Sequence, residues 1–183
     1  MSDYLVIKHC SPTLAKIKTG NLFSCRIESR EELLKAIRKL NIILVPKGLR
    51  LIPLKYSDKL ALVYLYRPSH LAEDLTKADA FDILNKAGYK SVKPEHNIIQ
   101  LMKRLEEYDG FPHEIGLFLG YPPEDVKGFI EHKGAGFKFA GLWKVYGDEN
   151  AAKERFESYR RCTDHYSKLL DFGVPVEKLA VAG

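Results

Sequence analysis

Short β-rich runs and amphipathic helical stretches follow one another in irregular order along all 183 residues, with no Pro-, Gly- or Ser-rich linker between them. Such an order does not suit a regular βαβ array. The expected fold is α+β: one domain over residues 1–183, with a small mixed or antiparallel sheet packed against about five to seven helices. Strands are expected near 4–8, 22–27, 42–45, 49–54, 60–66 and 137–146. The three middle runs read as a meander, and Pro53 suits an edge strand or a bulge because it has no N–H to donate.

Helix signals punctuate the same stretch. Ser11 followed by Pro12 marks a helix start and predicts a short helix to about Lys18. Ser29 and Glu32 form a capping-box pattern ahead of Leu33, Leu34, Ile37 and Leu40. Helices are also expected over 69–87, closed by Gly88, and over 94–108. Asp148 caps the last long helix, and Gly173 ends it.

Hydrophobic residues make up 45% of the chain, enough for a sizeable core, yet no run of eighteen apolar residues occurs. Neither a membrane span nor a signal peptide is supported, so a cytoplasmic protein is expected. Cys10, Cys25 and Cys162 match no disulfide or zinc-ribbon spacing and read as reduced thiols. The net charge of +5 is spread along the chain, which permits an anionic partner without demanding one.

Three functional readings follow from particular residues. If strand 4–8 turns into a helix at Pro12, then His9, Cys10, Ser11 and Thr13 sit at a positive helix pole among unpaired N–H groups. That place would bind a small anion, with Lys16 nearby and His113 and Tyr121 from the 111–121 region as further ligand contacts. It would also lower the pKa of Cys10, so a thiol-dependent enzyme using Cys10 and His9 is the second reading. The plainer account is that Ser11 caps a helix and Cys10 is a small buried residue.

The third reading is a helix-turn-helix over 113–132, with Ile115 and Leu119 facing inward, Gly116 allowing close approach and Gly120 turning. Val126, Phe129 and Ile130 would anchor its second helix. Glu124 and Asp125 lie where phosphates would be met, which argues against nucleic acid and for a packed helix corner. Cys162 and His165, at i and i+3, are weak metal candidates, and nothing in the spacing brings them further ligands. No motif names a cofactor or decides whether the chain is an enzyme. On the last strand, Trp143 and Val145 are expected on one face, and Lys144 and Tyr146 on the other.

Three stretches carry a resemblance: His9-Cys10-Ser11-Pro12-Thr13-Leu14 with Lys18 and Asn21-Leu22-Phe23-Ser24; Phe111-Pro112-His113-Glu114-Ile115-Gly116 with Phe118-Leu119-Gly120-Tyr121-Pro122; and Trp143-Lys144-Val145-Tyr146-Gly147-Asp148. Together they resemble the bacterial family of domain of unknown function 3793 over nearly the whole chain. The resemblance implies no activity, substrate or cofactor.

Overall fold

The computed structural model describes residues 3–107 and 111–183. The chain is α+β, 58% helical with small antiparallel sheets, and it gathers into two compact units. Unit 1 takes residues 1–69 and 159–183, and unit 2 takes residues 70–158.

In unit 1, β1 (Gly20–Arg26), β2 (Arg50–Ser57) and β3 (Leu60–Tyr66) form an antiparallel sheet in the order β1-β3-β2. As expected, Pro53 lies on an edge strand beside a register shift: Pro53 pairs with Val63 and Lys55 with Leu62, so Leu54 is the extra residue. Helix α1 (Asp3–Leu14) packs on β1 and β3, and α2 (Arg30–Leu44) packs on β2. The core between them holds Val6, Ile7, Leu14, Ile37, Leu51 and Val63. Ser29 accepts the Glu32 N–H at 3.1 Å, completing the N-cap that the sequence announces.

Two strand expectations are overturned here. Residues 4–8 are helical because Val6, Ile7, Cys10 and Leu14, all fully buried, form a stripe at helical spacing that outweighs the β-propensity of the run. Residues 42–44 close α2, and Val45 opens a short 3-10 turn to Lys47. Leu44 continues the stripe of Leu33, Ile37 and Leu40, whereas Ile42 is 75% exposed. The sheet of unit 1 is therefore a β2–β3 hairpin flanked by β1, not a meander through 42–45.

In unit 2, the helix expected over 69–87 is two: α3 (Pro68–Thr76), which begins in unit 1, and α4 (Ala78–Lys86). Lys77 is extended between them, and the Thr76 hydroxyl donates to Glu73 O at 2.9 Å. Gly88 has φ +88 just past α4, the left-handed terminator expected. Helix α5 (Pro94–Glu107), α6 (Ile115–Phe118) and α7 (Pro123–His132) follow, with α7 against α4.

The long strand expected over 137–146 is a hairpin of β4 (Phe139–Ala140) and β5 (Lys144–Val145), closed by Gly141 N–H donating to Trp143 O at 3.0 Å. Asp148 then caps α8 (Glu149–Asp171) by accepting from Asn150 N and Ala151 N at 2.9 and 3.0 Å. A last turn, α9 (Val176–Leu179), packs on α1 in unit 1. Among the described residues, no helix is long and apolar enough to cross a membrane.

Candidate functional site

The helix pole imagined at Pro12 is the opposite pole. His9, Cys10, Ser11 and Thr13 lie in the last turns of α1, where N–H groups are spent inside the helix and carbonyls are left over. Lys16, at φ +65, turns the chain out of the helix. The spare carbonyls attract a cation instead of an anion. Arg67, 1% exposed, donates from Nε to Thr13 O at 2.8 Å and from Nη2 to Leu14 O at 2.9 Å and Val181 O at 2.7 Å; Nη1 reaches Lys47 O at 3.3 Å. Burial lowers its pKa from the usual value, with Tyr166 opposing.

The same burial removes the premise of a reactive thiol. Cys10 is fully buried, and burial pushes its thiol pKa up, the nearby Lys18 opposing only in part. Lys18 is itself pushed down to about 8 by burial. His9 stacks on Phe23 at 5.5 Å, and among the described residues no hydrogen bond joins the Cys10 sulfur to a base. Ser11 donates back to Ile7 O, and Thr13 donates to Asn21 Oδ1 at 2.7 Å, so both hydroxyls serve the fold. Cys162 is half-buried on α8 and pushed up to about 11, while His165 is exposed; among the described residues no three His, Cys, Asp or Glu side chains gather as metal ligands. Iodoacetamide at pH 8 should therefore modify Cys162 slowly and Cys10 not at all until denaturant is added. Rapid labelling of Cys10 in the native protein, read by peptide mass spectrometry, would restore the reactive-thiol reading.

In unit 2 the helix-turn-helix lacks its first helix, since α6 is a single turn of four residues. Ile115 and Leu119 do face inward, each 8% exposed, and Gly120 turns the chain at φ +73. A Cβ on Gly116 would come within 2.8 Å of Val126 Cγ2, which is the close approach expected of it. The anchoring differs: Val126 is buried, but Phe129 is half-buried and Ile130 is exposed.

What fixes α7 is Asp125. This carboxylate, 3% exposed, accepts Trp143 Nε1–H at 2.7 Å on Oδ2, and the N–H groups of Tyr146 and Gly147 at 2.7 and 2.8 Å on Oδ1. It bolts the first turn of α7 to β5 and sets the indole plane. Trp143 then stacks on Tyr121 with centroids 4.4 Å apart and meets Phe156 edge-on at 4.4 Å.

The indole and Tyr121 form one wall of a cleft of about 430 Å³, completed by His113, Phe129, Leu142 and Lys144. His113 packs edge-on against Phe129 at 4.9 Å. Burial raises the pKa of the Tyr121 hydroxyl, so it stays neutral here. Apolar side chains stand exposed around this face: Phe111 at 56%, Phe137 at 41% and Leu142 at 58%.

Phe111 and His113 also line a second cavity of about 430 Å³, and its charged groups include Asp79, Asp82, Lys86 and Glu131. There Glu114 is consumed by Arg104 at 2.6 Å and by the Tyr89 hydroxyl at 3.1 Å. Of the residues expected to bind a ligand, the structure brings His113 and Tyr121 to one cleft and leaves His9, Cys10, Ser11, Thr13 and Lys16 in unit 1. Asp125, Phe129 and Leu142 were missed as parts of a site, and Lys144 was expected only as one face of a long strand. The available signal was the pair of apolar residues flanking a glycine, Phe139 and Leu142 about Gly141, which marks a hairpin tip with hydrophobic side chains.

The model of the family described as protein of unknown function (DUF3793) matches residues 6–180 of the chain. No curated protein and no solved structure matches it.

Proposed function

The chain belongs to the family of proteins of unknown function DUF3793, and we propose that it is a binding protein whose unit 2 takes a flat, aromatic small molecule against the Trp143–Tyr121 wall. The observation that carries this is the stacked pair itself, held by Asp125 at the side of an open apolar cleft. Small-molecule sites span about 300–1,000 Å³ and are mostly apolar with a few placed polar groups, and this cleft fits that description. A packed core would have covered Leu142 and Phe111; leaving them in water costs about 25 cal/mol per Å² of apolar surface, which a ligand recovers. The small anionic ligand expected at the first helix is thereby relocated, with His113 and Tyr121 retained as contacts. Unpaired cysteines agree with a reducing compartment, and we place the protein in the cytoplasm.

Trp143 is the single tryptophan of the chain, so its fluorescence reports on the cleft directly. Titration with naphthalene-2-carboxamide should change its emission saturably, with a Kd on the order of 0.1–1 mM for so small a probe. Leu142→Asp, at an exposed position, should weaken binding about tenfold without changing the urea midpoint. An emission that does not saturate, or a Leu142→Asp variant that binds as tightly, would end this reading.

A further inference from the structure

The geometry points to a ligand that carries an anion, a carboxylate on an aromatic ring system, with Lys144 as the group that receives it; this deepens the proposed function and rests on it. Three groups lining the cleft can bear charge: His113, Asp125 and Lys144. Asp125 has both oxygens engaged by three N–H donors that already offset much of its charge, and it is 3% exposed, which makes it a poor anchor for a cationic ligand. Lys144 is differently placed. Its ammonium has three donors, and one is used, by Gly134 O at 2.6 Å. Among the described residues it makes no salt bridge with a carboxylate.

Two rings fix where this charge stands. Lys144 Nζ lies 4.8 Å from the centroid of Phe137 and 5.7 Å from that of Phe129. Gly134 holds it from behind: at φ +76 a Cβ there would come within 3.2 Å of Nζ and of Phe129 Cε2. The ammonium is thus held among aromatic faces, with one of its three hydrogens engaged by an acceptor among the described residues, beside an apolar cleft wide enough for a stacked ring. Low local dielectric strengthens a charge-assisted hydrogen bond there, and a neutral acceptor gains less from the ammonium than a carboxylate does. An aromatic carboxylate satisfies both halves of the site, its ring against Trp143 and its oxygens on Lys144.

The test compares 2-naphthoate with naphthalene-2-carboxamide, which share a ring system and differ in charge, by Trp143 emission on the full chain. The carboxylate is expected to bind about tenfold tighter at low salt. Lys144→Met should bring 2-naphthoate to within about twofold of the amide measured on the same variant, and Lys144→Arg should keep the preference. Should Lys144→Met fail to fold, salt answers the same question on the unmodified protein. Raising NaCl from about 20 to 500 mM should weaken 2-naphthoate several-fold and leave the amide alone. Equal binding of the two probes, or equal salt response, overturns the anion site while the aromatic cleft stands. Failure of both probes to bind overturns the cleft as well.

Discussion

Arg67→Met is expected to destabilise unit 1 by about 3–5 kcal/mol. Buried charges are often replaceable by apolar groups of similar volume at little cost, because the partner charge can be removed with them. Here the partners cannot be removed. They are the backbone carbonyls of Thr13, Leu14, Lys47 and Val181, and methionine leaves all four without the guanidinium. Each hydrogen bond to a charged donor contributes about 1.5–3 kcal/mol, and the carbonyls recover part of that from water wherever the tail can lift. Three of the four keep a backbone donor, Thr13 O the Lys16 N–H at 3.2 Å, Leu14 O the Val181 N–H at 3.0 Å and Lys47 O the Gly183 N–H at 3.1 Å, which sets the lower end of the range. Arg67→Lys keeps the charge but loses the fork, and should recover less than half of the loss. Hydrogen exchange of α1 amides, compared with those of α7, measures this within one molecule. A loss under about 1 kcal/mol would mean that the clamp is idle.

Asp125→Ala should cost unit 2 about 3–4 kcal/mol and abolish probe binding together with it. Three donors lose their acceptor at once, and neither the two backbone N–H groups nor the indole N–H has another acceptor among the described residues. The substitution also frees the indole plane, so Trp143 emission should shift to the red as water reaches it. Asp125→Asn is the more informative change. Its amide oxygen can still accept from Tyr146 and Gly147, but its NH₂ then faces the indole N–H, donor against donor. The loss should be intermediate, with the emission shift preserved and the urea midpoint moved less. If both variants unfold at the wild-type midpoint, the carboxylate does not hold the wall in place.

Local chemistry was legible where a single residue decides the outcome. Ser29, Gly88, Asp148 and Pro53 each act through local hydrogen bonds, one φ value or one missing N–H, and the chain uses them as their types dictate. Tyr4 to Lys8 and Ile42 to Val45 were misread because a short apolar run fits a strand or a helix equally well. The decision rests on residues beyond the run, Cys10 and Leu14 in the first case and Leu33 and Ile37 in the second. The site suffered for the same reason, since placing Cys10 at a helix start required strand 4–8. The cleft was illegible for a different one. Asp125 and Trp143 are 18 positions apart, and only the folded chain shows that a residue fit to complement a helix dipole is an acceptor for an indole.

Unit 2 is one continuous stretch, whereas unit 1 is assembled from both ends of the described sequence. On the ribosome these have different fates. At roughly 5–20 residues per second, the 114 positions between Arg67 and Val181 take roughly 6–23 s to make. Throughout that interval the β1-β3-β2 sheet can form, but Val181 and α9 are missing. Unit 2, complete earlier, can close while its neighbour waits. The nascent chain therefore carries a half-built unit with Arg67 lacking one acceptor, a window in which a chaperone would find α1 and the last strands of the sheet still open.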